Sequence, residues 1–101
     1  MPETYPTDEE LAKIQNWDVN DNNVAEFMAF IKSIWWMPDW GWAEESGKYM
    51  ISTGGWSGNE DIIGAMMNNK IFWLMFWEQS KRGGHYTFSP IRTPISDERK
   101  G

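Results

Sequence analysis

Ser57, Glu60 and His85 are the residue types of a nucleophile, a carboxylate and a proton acceptor. If the fold brought them together, they would form the hydrogen-bonded relay by which hydrolases activate a hydroxyl. His85 is the only histidine, so it is the only side chain whose ordinary pKa lies near neutrality. Ser57 and Glu60 belong to a glycine-rich stretch, Thr53-Gly54-Gly55-Trp56-Ser57-Gly58-Asn59-Glu60. A turn of this kind, leaving a strand and opening a helix, offers an anion free amides and the positive end of a helix dipole. Gly54, Gly55, Ser57, Asn59, Glu60, Arg82 and His85 are therefore the candidate ligand-binding set, for a nucleotide-like anion or a hydrolysis. The stretch nevertheless lacks the Lys-Ser/Thr order of a P-loop and the spacing of G-x-G-x-x-G. Glu60 and Asp61 would also repel a phosphate there. Gly54 and Gly55 making a turn, with Ser57 capping a helix, explain it better. One histidine among scattered carboxylates gives no metal-ligand spacing, and without cysteine there is no thiolate or disulfide. No catalytic residue, cofactor or metal is assigned, and the balance favours a non-enzyme.

A second group of residues is suited to recognition. Trp36, Trp40 and Trp42 fall within seven residues and alternate with Asp39, Glu44 and Glu45. Stacking on single-stranded nucleic acid needs basic residues among the aromatics, and here the neighbours are acidic. Aromatics with acidic neighbours suit a basic protein surface. Residues 1–47 carry ten acidic side chains against Lys13 and Lys32, a net charge of −8, while residues 48–101 carry a net +2. Non-specific binding to duplex DNA needs a basic footprint, so direct nucleic-acid binding is not expected. Eight Trp in 101 residues are more than so small a core can enclose, which predicts that some are exposed.

The elements that must position these residues follow from local pattern. Thr7 and Glu10 form a capping box opening a helix over about 8–16. Asn22 or Asn23 caps a second helix, in which Val24, Phe27, Met28, Ile31 and Trp35 make a helical stripe. Pro38 stops that helix near Trp36, and residues 36–42 read as non-helical. Residues 43–47 read as a turn, and residues 49–52 as a strand. Ser57 and Glu60 form another capping box, opening a helix with Ile62, Ile63, Met66 and Met67 on its apolar face and Asn68-Asn69 at its end. The continuously apolar run Ile71–Trp77 reads as a central strand covered on both faces. Lys81-Arg82-Gly83-Gly84 then turns a hairpin into a partner strand over 85–88.

The expected fold is α+β: two N-terminal helices, then strand, helix, strand, strand. The sheet is a small three-stranded mixed one with a right-handed parallel crossover and a C-terminal hairpin, covered by helices. The chain reads as a single domain over 1–101, with an extended arm at 1–7, a globular core at 8–89 and a flexible tail at 90–101. No stretch approaches the roughly 20 apolar residues of a membrane span, and Met1–Pro6 lacks the basic and apolar regions of a signal peptide. A cytoplasmic setting is the expectation.

The segment Gly54–Glu60, with Phe72-Trp73, Trp77, Ser80 and Arg82–Phe88, resembles small uncharacterised proteins of bacteriophages and mobile elements. The resemblance covers about 35 residues. It implies a bacterial cytoplasmic setting and a role in phage–host conflict, and no catalytic residue. The leading functional expectation is a non-enzymatic binding protein that engages a basic or nucleic-acid-binding protein partner. The alternatives are the small-ligand site at the glycine loop and hairpin, and a self-associating protein with a Trp-lined homodimer seam.

Overall fold

In the computed structural model, residues 5–45 and 47–89 are described. The expected tail at 90–101 and the first part of the arm lie outside them. Helix α1 (Asp8–Asn16) opens on the expected capping box, with the Glu10 amide donating to Thr7 Oγ1 at 3.0 Å and the Thr7 amide to Glu10 Oε1 at 2.9 Å. Helix α2 (Val24–Ile34) buries its predicted stripe, and Trp35 just beyond it is also fully buried. Its N-terminus differs from expectation, because neither Asn22 nor Asn23 caps it through a side chain. Asn23 Oδ1 instead accepts from the Asn20 amide, while Asn20 Oδ1 accepts from those of Asn22 and Asn23. The asparagines thus close their own loop.

Several sequence expectations are corrected between residues 36 and 67. The stretch expected to be non-helical holds one helical turn, α3 (Pro38–Gly41), because Pro38 at its start needs no hydrogen-bond partner. The expected turn at 43–47 contributes a strand, β1 (Trp42–Glu45), paired antiparallel to β2 (Lys48–Ser52). Helix α4 (Ser57–Asn68) begins one residue early, with Trp56 at its N-cap and no side-chain cap bond. The Ser57–Glu60 capping box is therefore not formed. Met67, expected on the apolar face of α4, is exposed, whereas Ile62, Ile63 and Met66 are buried as expected.

The largest correction concerns Ile71–Trp77. Lys70–Phe76 is a helix, α5, and the strand β3 (Trp77–Lys81) starts only where it ends. Asn69 decides this. Its Oδ1 accepts from the Phe72 amide at 3.1 Å, while its Nδ2 donates to the carbonyls of Ile14 and Trp17, both at 2.9 Å. Asn68-Asn69 does end α4 as expected, and Asn69 is also the cap of the next helix, tied to the end of α1. Phe72 and Phe76, four apart, turn into the core together, and Phe72 packs on Phe27 of α2 and Phe88.

The α+β class holds, with helices covering a sheet, but among the described residues the sheet has four strands and no parallel pair. Its order is β1-β2-β4-β3, with β4 (His85–Phe88) antiparallel to both neighbours. The expected three-stranded mixed sheet and its parallel crossover are absent, because α5 carries the chain back before β3 begins. Among the described residues β3 then pairs only with the strand it reaches through the hairpin. Ile51 and Phe88 turn into the core, while Ser52 and His85 lie on the other face.

Candidate functional site

The glycine loop and the hairpin do adjoin, by a route the sequence reading did not have. β2 and β4 pair with Ser52 opposite His85, so the chain leaving β2 meets the turn entering β4. The Thr53 amide donates to the Gly84 carbonyl at 3.0 Å, and Thr53 Oγ1 accepts from the Gly55 amide at 3.3 Å. Gly54 and Gly55 have φ of 66° and 77°, where a side chain would be strained. The glycines therefore serve the turn.

The polar candidates disperse to separate partners. Ser57 Oγ shares a hydrogen bond with the Tyr5 hydroxyl, and His85 Nδ1 shares one with Ser52 Oγ, each at 2.6 Å. Glu60 and Arg82 are exposed. Among the described residues no hydrogen bond or ion pair joins Ser57, Glu60, Arg82 and His85 to one another. The Ser52–His85 pair depends on strand register, which composition and spacing do not show. Asn59 is buried and structural: Oδ1 accepts from the Trp36 amide at 2.9 Å, while Nδ2 donates to the carbonyls of Trp36 and Thr53 at 3.1 and 3.2 Å.

That clamp shapes the most distinctive concavity of the aromatic region. Trp36, Met37, Trp40 and Gly54 line a cleft of about 260 Å³. Behind it runs an aromatic ladder, with Trp36 5.4 Å from Trp56 and Trp56 5.1 Å from Tyr5, ring centre to ring centre. Trp40 stands on α3 with 65 % of its surface exposed. Its six-membered ring crosses Gly54, where a β-carbon would lie 3.0 Å from it. Met37, with φ 58° and ψ 55°, is the only described non-glycine residue in the left-handed region. Residues before proline avoid the right-handed helical basin, and the Met37 carbonyl accepts from the amides of Trp40 and Gly41. Strain at Met37 thus aims Trp40. Asp39, between Pro38 and Trp40, is exposed and makes no ion pair among the described residues.

The rest of the predicted acidic–aromatic group is built into the fold. Trp42 is buried edge-on to Trp35 and Tyr49, with ring centres 5.6 and 6.0 Å away. Its Nε1 donates to Glu44 Oε2 at 3.0 Å, and the same oxygen lies 3.8 Å from Lys32 Nζ. Burial, reinforced by the Glu44 charge, raises the Tyr49 pKa above its ordinary 10.0. Glu45 is exposed and stands opposite Lys48 in the β1–β2 register.

The sequence reading missed a second apolar surface because it placed Ile71–Trp77 in the interior. Met67, Ile71, Leu74 and Trp77 are all exposed, Leu74 by 87 %. Met67, Lys70, Trp73 and Leu74 line a shallow hollow of about 360 Å³ beside it. The available signal was the i, i+4 pair Phe72 and Phe76, which leaves Leu74 on the opposite side of any helix.

No protein-family model matches the chain, and no curated protein or solved structure is significantly similar to it. Among the described residues no cluster of His, Asp or Glu is arranged to hold a metal, and no helix is long and apolar enough to cross a membrane.

Proposed function

We propose that this protein is a non-enzymatic binding protein that engages a basic protein partner through the aromatic cleft and the acidic surface around it. The exposure of Trp40 over a cleft held open from behind carries this reading. A large aromatic left 65 % in water, and aimed by a strained residue and a glycine, is the usual anchor of an interface. The acidic first half favours a basic partner electrostatically. We further propose that the partner is a host nucleic-acid-binding or defence protein, the role implied by the likeness of Gly54–Glu60, Phe72-Trp73, Trp77, Ser80 and Arg82–Phe88 to phage and mobile-element proteins. Affinity capture from bacterial lysate, followed by mass spectrometry, tests it with the wild type beside Trp40→Ala and Asp39→Lys. A basic protein retained by the wild type and lost by both variants is expected. Equal recovery by all three removes the reading. Glu44→Lys is a poor probe, since Glu44 holds the Trp42 indole.

The α5 surface favours a second reading, self-association. Leu74 projects beside the hollow that it helps to line, so two copies related by a two-fold axis can each insert a Leu74 into the other. Sedimentation at micromolar concentration should show a wild-type dimer that Leu74→Glu returns to monomer. A wild-type monomer excludes it.

A further inference from the structure

We infer that the Trp36–Trp40 cleft receives a single arginine side chain of the partner, its guanidinium lying against the indole faces and meeting the carboxylate of Asp39, the residue beside Trp40 on α3. This rests on the protein-binding reading above and adds the chemistry that the cleft selects.

Size is the first argument. At about 260 Å³ the cleft falls below the roughly 300–1,000 Å³ of small-molecule sites, which fits one long side chain better than a cofactor. Ring placement is the second. Trp36 and Trp40 line the same cleft yet make no ring contact with each other, while Trp36 packs against Trp56. The indoles therefore do not stack on each other, which leaves the cleft they line open to a planar group. Both are backed by groups that resist collapse: the Asn59 clamp on the Trp36 main chain, and Gly54 beneath Trp40.

Charge is the third. Indole faces attract cations, and guanidinium stacks on them with less loss of hydration than an ammonium. The chain satisfies its own cation–aromatic contacts elsewhere: Lys13 Nζ lies 4.3 Å from the centre of Phe30 and 5.5 Å from that of Trp17. Among the described residues no cation of the chain covers Trp36 or Trp40 in this way. Asp39 is the acidic residue of α3, exposed and without an ion pair there, and a carboxylate can accept two parallel N–H bonds from a guanidinium. Lysine carries the same charge, but its compact, strongly hydrated ammonium is less suited to apolar walls.

The test uses the whole chain with blocked hexapeptides of arginine, lysine and glutamine, following indole N–H resonances by NMR. Hexa-arginine should shift the Trp40 and Trp36 indole signals and bind at least tenfold more tightly than hexa-lysine. Hexa-glutamine should leave both signals in place. Trp40→Ala should weaken hexa-arginine binding at least tenfold, Trp40→Phe less, and Asp39→Asn several-fold, with melting temperatures checked for each. Equal affinity for arginine and lysine peptides, or shifts that persist in Trp40→Ala, would overturn the inference in favour of diffuse attraction to an acidic surface. The two readings fail separately. A captured partner that depends on Trp40 but is not displaced by hexa-arginine ends the arginine assignment and leaves the protein-binding reading standing. A specific hexa-arginine shift with no partner captured supports the assignment and counts against the partner search.

Discussion

The aromatic cleft and the α5 face both leave large apolar side chains in water, yet they are built in opposite ways. The cleft is assembled from a strained residue, a glycine crossing and a buried asparagine that fixes two chain segments at once. The α5 face is the far side of an ordinary helix whose near side is already spent on the core. Structural effort at the cleft goes into orienting a few groups, and Asp39 adds charge to shape. The α5 face offers apolar area alone. Recognition of a particular chemistry belongs with the first, and general apolar association with the second.

The largest expected effect breaks the cleft from behind. Asn59→Ala strands the Trp36 amide and carbonyl in a part-buried setting and takes one of two donors from the Thr53 carbonyl, which keeps the Trp56 amide, so it should cost about 2–3 kcal/mol in urea unfolding. A cost below about 1 kcal/mol would mean that the cleft is not pinned and the contrast is false. Gly54→Ala is next. It forces an alanine to positive φ and drives its β-carbon against Trp40, so a loss of about 1–2 kcal/mol is expected, with altered Trp40 emission. Unchanged stability and emission would show that Trp40 does not rest on the glycine.

Leu74→Glu should change unfolding free energy by less than about 0.5 kcal/mol, because the side chain is already in water. A larger loss would place α5 in the core after all. The smallest effect separates the Trp42–Glu44–Tyr49 contacts from the exposed cleft. The fold holds the Tyr49 phenol neutral to higher pH than the unfolded chain does. Its stabilising contribution is therefore complete below about pH 10 and is lost as pH rises through the folded value. Tyr49→Phe should flatten that alkaline decline in thermal melts, and an identical slope would refute the assignment.

What was legible in the sequence was local. The Thr7–Glu10 box, the α2 stripe and the Gly83-Gly84 hairpin each depend on residues a few positions apart, and each stands as expected. Ile71–Trp77 was misread because a short, wholly apolar run has no periodicity to separate helix from strand. The deciding contacts of Asn69 reach 52 and 55 residues back. The sheet order failed with it, since a strand begun at Ile71 instead of Trp77 demands a crossover that the chain does not make. At the site, Trp36, Asp39 and Trp40 were legible as residue types. Gly54 was legible only as a turn, and Met37 had no signal beyond preceding a proline.

The Asn69 cap also bears on how the chain survives its own folding. IFWLMFW carries no charge, no proline and no glycine, and it is rich in β-prone aromatics, the composition of a segment that stacks into cross-β fibrils. Its helical state depends on a side chain anchored to the end of α1, so until that distant contact forms the segment is free to pair with copies of itself. Asn69→Ala should accordingly raise thioflavin-positive aggregate during refolding more than its loss of equilibrium stability accounts for. On that expectation the carboxamide acts as a kinetic guard as well as a cap.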